Sequence, residues 1–124
     1  MKIQESAENY LETILVLGQE NPYVRSIDIA NELGFSKPSV SVAMKNLRTN
    51  GYILVDENGH ITLTESGRAI AETIYERHTA LSGWLMKLGV DRETASADAC
   101  RIEHVISAKS FAAIKAHISS EAEK

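Results

Sequence analysis

The stretch SIDIANELGFSKPSVSVAMKNLRTNGYILVDENGHITLT, Ser26 to Thr64, decides the fold. It begins with an apolar-periodic segment, Ile27 to Leu33, that Ser26 can cap and Gly34 can end. Ser36 can cap a second segment, in which Pro38 is tolerated because the first helical turn needs no amide hydrogen there. Val40, Met44 and Leu47 recur at helical spacing as its buried stripe, and Gly51 ends it. Alternation follows, Ile53 with Val55 and then Ile61 with Leu63. Between them Asn58-Gly59 signals a hairpin, since both central positions of a tight primed turn need positive φ.

Helix, turn, helix and hairpin in that order predict a winged helix-turn-helix with a two-stranded wing. Charge supports a nucleic-acid face. From Gly34 to Leu54 there is no Asp or Glu, while Lys37, Lys45 and Arg48 are present. In a chain of net charge -4 that local asymmetry is informative, because the whole molecule does not attract DNA. Ser41, Lys45 and Arg48 share the face opposite the buried stripe. Ser36, Ser39 and Ser41 can bond phosphates or base edges, and Lys37, Pro38 and Val42 complete the groove-facing set. At the wing tip Asn58 and His60 would meet the neighbouring backbone. A helix bundle with a solvated basic face is the plainer alternative, and the helix–helix–hairpin order weighs against it.

Outward from this stretch the chain reads as helix. Before it, Tyr10, Ile14 and Leu17 form a stripe on a first helix from a Ser6 cap to about Glu20, which ends at "ENP". After it, Thr64 caps a long helix from about Glu65 to Leu88, with Ile70, Ile74, Leu81, Leu85 and Leu88 on one stripe and Gly89 at its end. Asp91 caps a further helix with the stripe Ala95, Ala99, Ile102 and Ile106, and Ser107 caps a last one anchored by Phe111, Ile114 and Ile118. The tail "SSEAEK" is expected to fray. The fold class is mainly α, with residues 1–64 as the DNA-binding domain and 65–124 as a helical domain. Apolar residues make up 44% of the 124, enough for a core. No apolar run is long enough to span a bilayer, and "MKIQESAENY" is too polar for a signal peptide, so a cytoplasmic protein is expected.

The helical domain carries "DACRIEHVIS", Asp98 to Ser107. Cys100, Glu103 and His104 stand at i, i+3 and i+4, on one helix face and off the apolar stripe. His78 lies at the edge of the long helix's stripe, and Asn9 and Glu12 are i, i+3 on the first helix. Carboxylates, imidazoles and one thiol suit Fe(II), Mn(II), Co(II), Ni(II) or Zn(II) if packing gathers them. Each residue alone has a plainer reading: a solvated glutamate, a satisfied histidine, a small buried thiol. An enzyme with Cys100 as nucleophile and His104 as base lacks an evident oxyanion hole and is not expected. A winged-helix regulator sensing a small molecule or thiol oxidation without metal is the alternative function.

With "ENYLETI", "GYI", "ITLTESGRAIAE", "ERH" and "DACRIEHVIS" added to the opening stretch, nearly the whole chain resembles the diphtheria toxin repressor and manganese transport regulator family. The resemblance implies a metal-dependent repressor, with a winged helix followed by helices for dimerisation and metal binding. It implies a homodimer on double-stranded operator DNA that represses uptake genes, with Fe2+ or Mn2+ as activator. Glu12, His78, Glu103 and His104 match ligand positions of its manganese branch. Cys100 stands where that branch has glutamate and the iron branch cysteine. Asn9, a weaker ligand, stands where they have aspartate and methionine. Ser82 and Ser96 stand where the iron branch has two ligands of an ancillary site. The chain also ends before that branch's SH3-like third domain.

Overall fold

The structure is a computed structural model that describes residues 5–122. The element order is α1 (Glu5–Glu20), α2 (Ser26–Leu33), α3 (Lys37–Thr49), β1 (Ile53–Val55), β2 (Ile61–Leu63), α4 (Glu65–Lys87), α5 (Arg92–Val105) and α6 (Ala108–Ala122). Contacts divide the chain into two compact units, the first ending at Thr73 and the second beginning at Ile74, inside α4. No helix among the described residues is long and apolar enough to cross a membrane.

In the first unit, Leu11, Ile29, Val40 and Ile53 are fully buried, so α1, α2, α3 and the hairpin share one core. Each such side chain is worth about 1.5–3 kcal/mol when buried. The antiparallel register pairs Ile53 with Leu63 and Leu54 with Thr62, so Ile53 and Ile61 face inward together. Ile61 N donates to Val24 O at 2.8 Å, which ties the second wing strand to the loop before α2. The first turn of α4 presses on the hairpin's base. A Cβ on Gly67 would lie 2.0 Å from the Tyr52 carbonyl oxygen. Thr64 Oγ1 accepts from Gly67 N at 3.2 Å, as its capping role requires.

The second unit has a smaller core of Leu81, Ala99 and Phe111, flanked by Trp84, Ile102, Ile106 and Ile114. Asp91 caps α5 by accepting from Thr94 N at 3.0 Å, and Ser107 Oγ accepts from Ser110 N at 3.0 Å at the start of α6. Val105 is 76% exposed and Leu88 65% exposed.

Several local expectations are corrected. Ser6 and Ser26 lie inside their helices and do not cap them. At α2 the cap position is Arg25, whose N–H donates to Asp28 Oδ2 at 2.9 Å, so the helix starts one residue early. Asn58 does not have positive φ; among the described residues only glycines do, Gly59 at 81°. The wing loop is therefore Glu57-Asn58-Gly59, closed by Gly59 N donating to Asp56 O and Asp56 N to His60 O. Leu88 lies past the end of α4 and outside the core, and the deepest residues of α1 are Leu11 and Ile14. The tail holds helix as far as Ala122, and residues 123–124 lie outside the described residues.

Candidate metal centre and nucleic-acid interface

The sequence pattern puts Glu103 off the apolar stripe of α5; instead it continues the buried line of Ala95 and Ala99 at i+4, and its side chain is 0% exposed. A carboxylate out of water costs several kcal/mol unless its oxygens find partners. His78 of α4 supplies one, with Nδ1 2.9 Å from Glu103 Oε2. A carboxylate oxygen accepts from a ring N–H at this distance, the arrangement by which a histidine aims a carboxylate. His104 Nε2 lies 3.4 Å from Glu103 Oε1, with the His104 side chain 2% exposed. Yet Oε1 is buried and accepts no hydrogen bond.

One ligand atom each of Cys100, Glu103 and His104 lie within 4.8 Å of one another. A buried anionic oxygen without a donor, beside a sulfur and an imidazole nitrogen, is what a divalent transition metal would satisfy. The donor set fits the metal that the residue types imply. The structure thus brings Cys100, Glu103, His104 and His78 together within the second unit. Glu12 and Asn9 lie one turn apart on α1 in the first unit, both half-buried. Ser82 Oγ donates to Thr79 O at 3.4 Å and Ser96 is exposed.

Arg77, which no motif singled out, holds the frame of this centre. Its Nη1 donates to the carbonyls of Glu103 and Ile106, each at 3.0 Å, and its guanidinium lies 5.7 Å from the Phe111 ring centre. The Glu103 carbonyl belongs to the last turn of α5, where no intrahelical donor remains, and that of Ile106 to the residue capping it. The signal was its place beside His78 in "ERH", but its reach to residues 103 and 106 depends on packing.

In the first unit, Lys37, Pro38, Ser39, Ser41, Val42, Lys45 and Arg48 are all exposed on α3. Ser36 Oγ accepts from Ser39 N at 3.3 Å and donates to Ser39 Oγ at 2.9 Å. Ser36 is thus occupied as a cap, and Ser39 keeps its own hydroxyl proton. Asn46, also exposed there, was not anticipated. At the wing, Asn58 is exposed and its N–H donates to Asp56 Oδ1 at 2.9 Å. His60 is half-buried at the base of the wing loop and already engaged: Nε2 lies 3.1 Å from Arg25 Nη2, Nδ1 3.3 Å from Asp56 Oδ2, and the ring 4.9 Å from that of Tyr23. Arg25 can only donate, so Nε2 accepts and Nδ1 carries the proton. The backbone N–H of His60, donated to Asp56, holds that carboxyl below the usual aspartate range.

A basic recognition helix with a wing, followed by a helical unit with a cluster of metal donors, defines a class: transcriptional regulators that respond to metal. Comparison with known proteins agrees along the chain. Residues 2–61 match the family description "Iron dependent repressor, N-terminal DNA binding domain", and residues 64–122 match "Iron dependent repressor, metal binding and dimerisation domain". The chain is 34% identical over 112 residues to transcriptional regulator MntR of Escherichia coli, covering 90% of this chain and 72% of that one. It is 34% identical over 107 residues to iron-dependent repressor IdeR of Mycobacterium tuberculosis, covering 86% and 46%. A solved manganese-dependent transcriptional repressor, in complex with manganese, superposes with a TM-score of 0.81 at 30% identity, covering 91% of this chain and 52% of that one. The chain thus spans about half the length of the last two. It belongs to the diphtheria toxin repressor and manganese transport regulator family of metal-dependent transcriptional repressors.

Proposed function

We propose that this chain is a cytoplasmic repressor of iron or manganese uptake genes that binds double-stranded operator DNA as a homodimer when loaded with Fe(II) or Mn(II). The observation that carries the reading is the buried Glu103 Oε1, without a hydrogen-bond donor beside Cys100 and His104. Residues 1–64 serve as the DNA-binding domain and 65–124 as the dimerisation and metal-binding domain. The small core of the second unit and the exposed Leu88 and Val105 support a partner subunit.

Cys100, Glu103, His104 and His78 are the proposed ligands, with Glu12 and Asn9 added on their match to family positions alone. The metal supplies a divalent positive charge to which these donors bind. His78 orients the Glu103 carboxylate through Nδ1, and Arg77 fixes the backbone that carries it. Cys100 favours the softer Fe(II) over Mn(II). Ser36, Lys37, Pro38, Ser39, Ser41, Val42, Lys45 and Arg48 form the groove face, with Asn58 and His60 at the wing. Metal and DNA then strengthen each other by one coupling free energy, about 2.7 kcal/mol for a hundredfold effect.

The test is binding to the chain's own upstream DNA, anaerobically and at fixed salt. It runs in chelator and then in Fe(II), Mn(II) and Zn(II), for wild type and Cys100→Glu. Tight binding only with Fe(II) or Mn(II), with the ranking altered by Cys100→Glu, is expected. Equal binding in chelator and in metal would remove the metal from the function.

A further inference from the structure

Val42 is the one large apolar side chain of α3 that is exposed, at 61%. It stands two residues from both Val40 and Met44, which are buried. At about 100° per residue it projects from the side opposite that stripe. Pro38 and Ser39 lie one turn before it and Lys45 and Asn46 one turn after, all exposed, none of them acidic. This is the centre of the face a recognition helix presents to the major groove.

The chemistry of valine limits what it can reward there. Major-groove base edges carry donors and acceptors, and thymine alone adds a methyl group at C5. Valine exchanges hydrogen bonds with none of the polar atoms. Over a G·C pair it strips water from them and returns nothing. Over a thymine it meets the methyl and buries it. Lysine or arginine at this place would favour guanine, and asparagine or glutamine adenine. We propose that Val42 is a specificity-determining residue that selects thymine in each operator half-site through contact with the C5 methyl. The inference rests on α3 being the DNA reader. It has a corollary: the same contact accepts 5-methylcytosine, which carries its methyl at the same place.

The test begins with the full chain loaded with Fe(II) or Mn(II), which selects from a pool of random duplexes. Each thymine of the enriched duplex is then exchanged for deoxyuridine, which keeps base pairing and removes only the methyl. A single exchange in one half-site is expected to weaken wild-type binding about fourfold, the worth of one buried methyl-sized group. For Val42→Ala that ratio falls toward one. Replacing this T·A pair by C·G weakens wild-type binding, and methylating the cytosine restores part of it. The exposed position makes misfolding of the variant no obstacle, and the base exchange leaves the protein untouched. Indifference of wild type to every exchange, or equal sensitivity of Val42→Ala, would overturn the proposal. Failure of wild type to enrich any sequence, seen before any methyl is removed, would overturn the DNA reading of α3 and this inference with it.

Discussion

His78 Nδ1 and Glu103 Oε2 lie 2.9 Å apart, and this contact assigns the two carboxylate oxygens different roles. One is held by an imidazole proton, and the other is left buried without a donor. An orienting histidine of this kind fixes both its own tautomer and the aim of the carboxylate.

Glu103→Gln keeps the side chain's volume and removes its charge. Mn(II) affinity of the full chain, read by anaerobic calorimetric titration, is expected to fall at least about tenfold. Unchanged affinity would remove Glu103 from the ligand set.

Arg77 spans two carbonyls at the end of α5, each at 3.0 Å. Hydrogen bonds from a charged donor are worth about 1.5–3 kcal/mol each, and water replaces part of what a half-buried site loses. Arg77→Ala is therefore expected to cost about 2–4 kcal/mol in urea unfolding followed by circular dichroism. Arg77→Lys should recover only part, because an ammonium lacks the planar guanidinium that lies over Phe111. Full recovery with lysine would show that charge alone matters there.

Gly67 and Gly83 both lie within α4, yet alanine should act on them with opposite sign. At Gly67 the new Cβ meets the Tyr52 carbonyl oxygen at 2.0 Å, while at Gly83 nothing lies within 4 Å. Gly83→Ala gains about 0.5–1 kcal/mol from helix propensity. Gly67→Ala loses about 1–3 kcal/mol or more to the clash with backbone. Paired denaturation curves check the signs, and a stabilised Gly67→Ala would refute the close approach.

Asp56 and Asp91 are held below the ordinary aspartate value of 3.8, Asp56 first by the His60 N–H and Asp91 first by the Thr94 N–H. A depressed folded value means the unfolded chain binds these protons first. The stability contributed is complete above 3.8 and is lost as pH falls through the lower folded values. Amide resonances of His60 and Thr94 should therefore shift with midpoints below 3.8. Midpoints at or above that value would contradict the wing and cap geometry.

Much of the fold was legible because it follows from local periodicity and turn chemistry. The stripe Val40, Met44 and Leu47, the two alternating wing strands and the caps at Ser36, Thr64 and Asp91 all act within a few residues. Two of the misreadings, the start of α2 and the wing turn, share a cause: a neighbouring carboxylate took the backbone amide first. Asp28 bonds the Arg25 N–H, moving the start of α2, and Asp56 bonds the amides of Asn58 and His60, reshaping the wing loop. Three of the proposed ligands were visible as the spacing of Cys100, Glu103 and His104. The depth of Glu103 and the grip of Arg77 were not, because their partners lie 25 and 26 residues away in sequence.

The wing turn also bears on chemical ageing. An asparagine before glycine closes readily to a succinimide, since glycine leaves its own nitrogen open to attack the neighbouring amide carbon. Here the Gly59 nitrogen is engaged with the Asp56 carbonyl at 3.0 Å and must leave it to react. Deamidation of Asn58 should therefore be slower in the folded wing than in the urea-unfolded chain, a difference that peptide mass spectrometry on incubated samples can read. The product, an aspartate or isoaspartate, would place a negative charge at the edge of the proposed DNA face. A stored preparation would then lose affinity for DNA while its helices and its metal ligands remained intact.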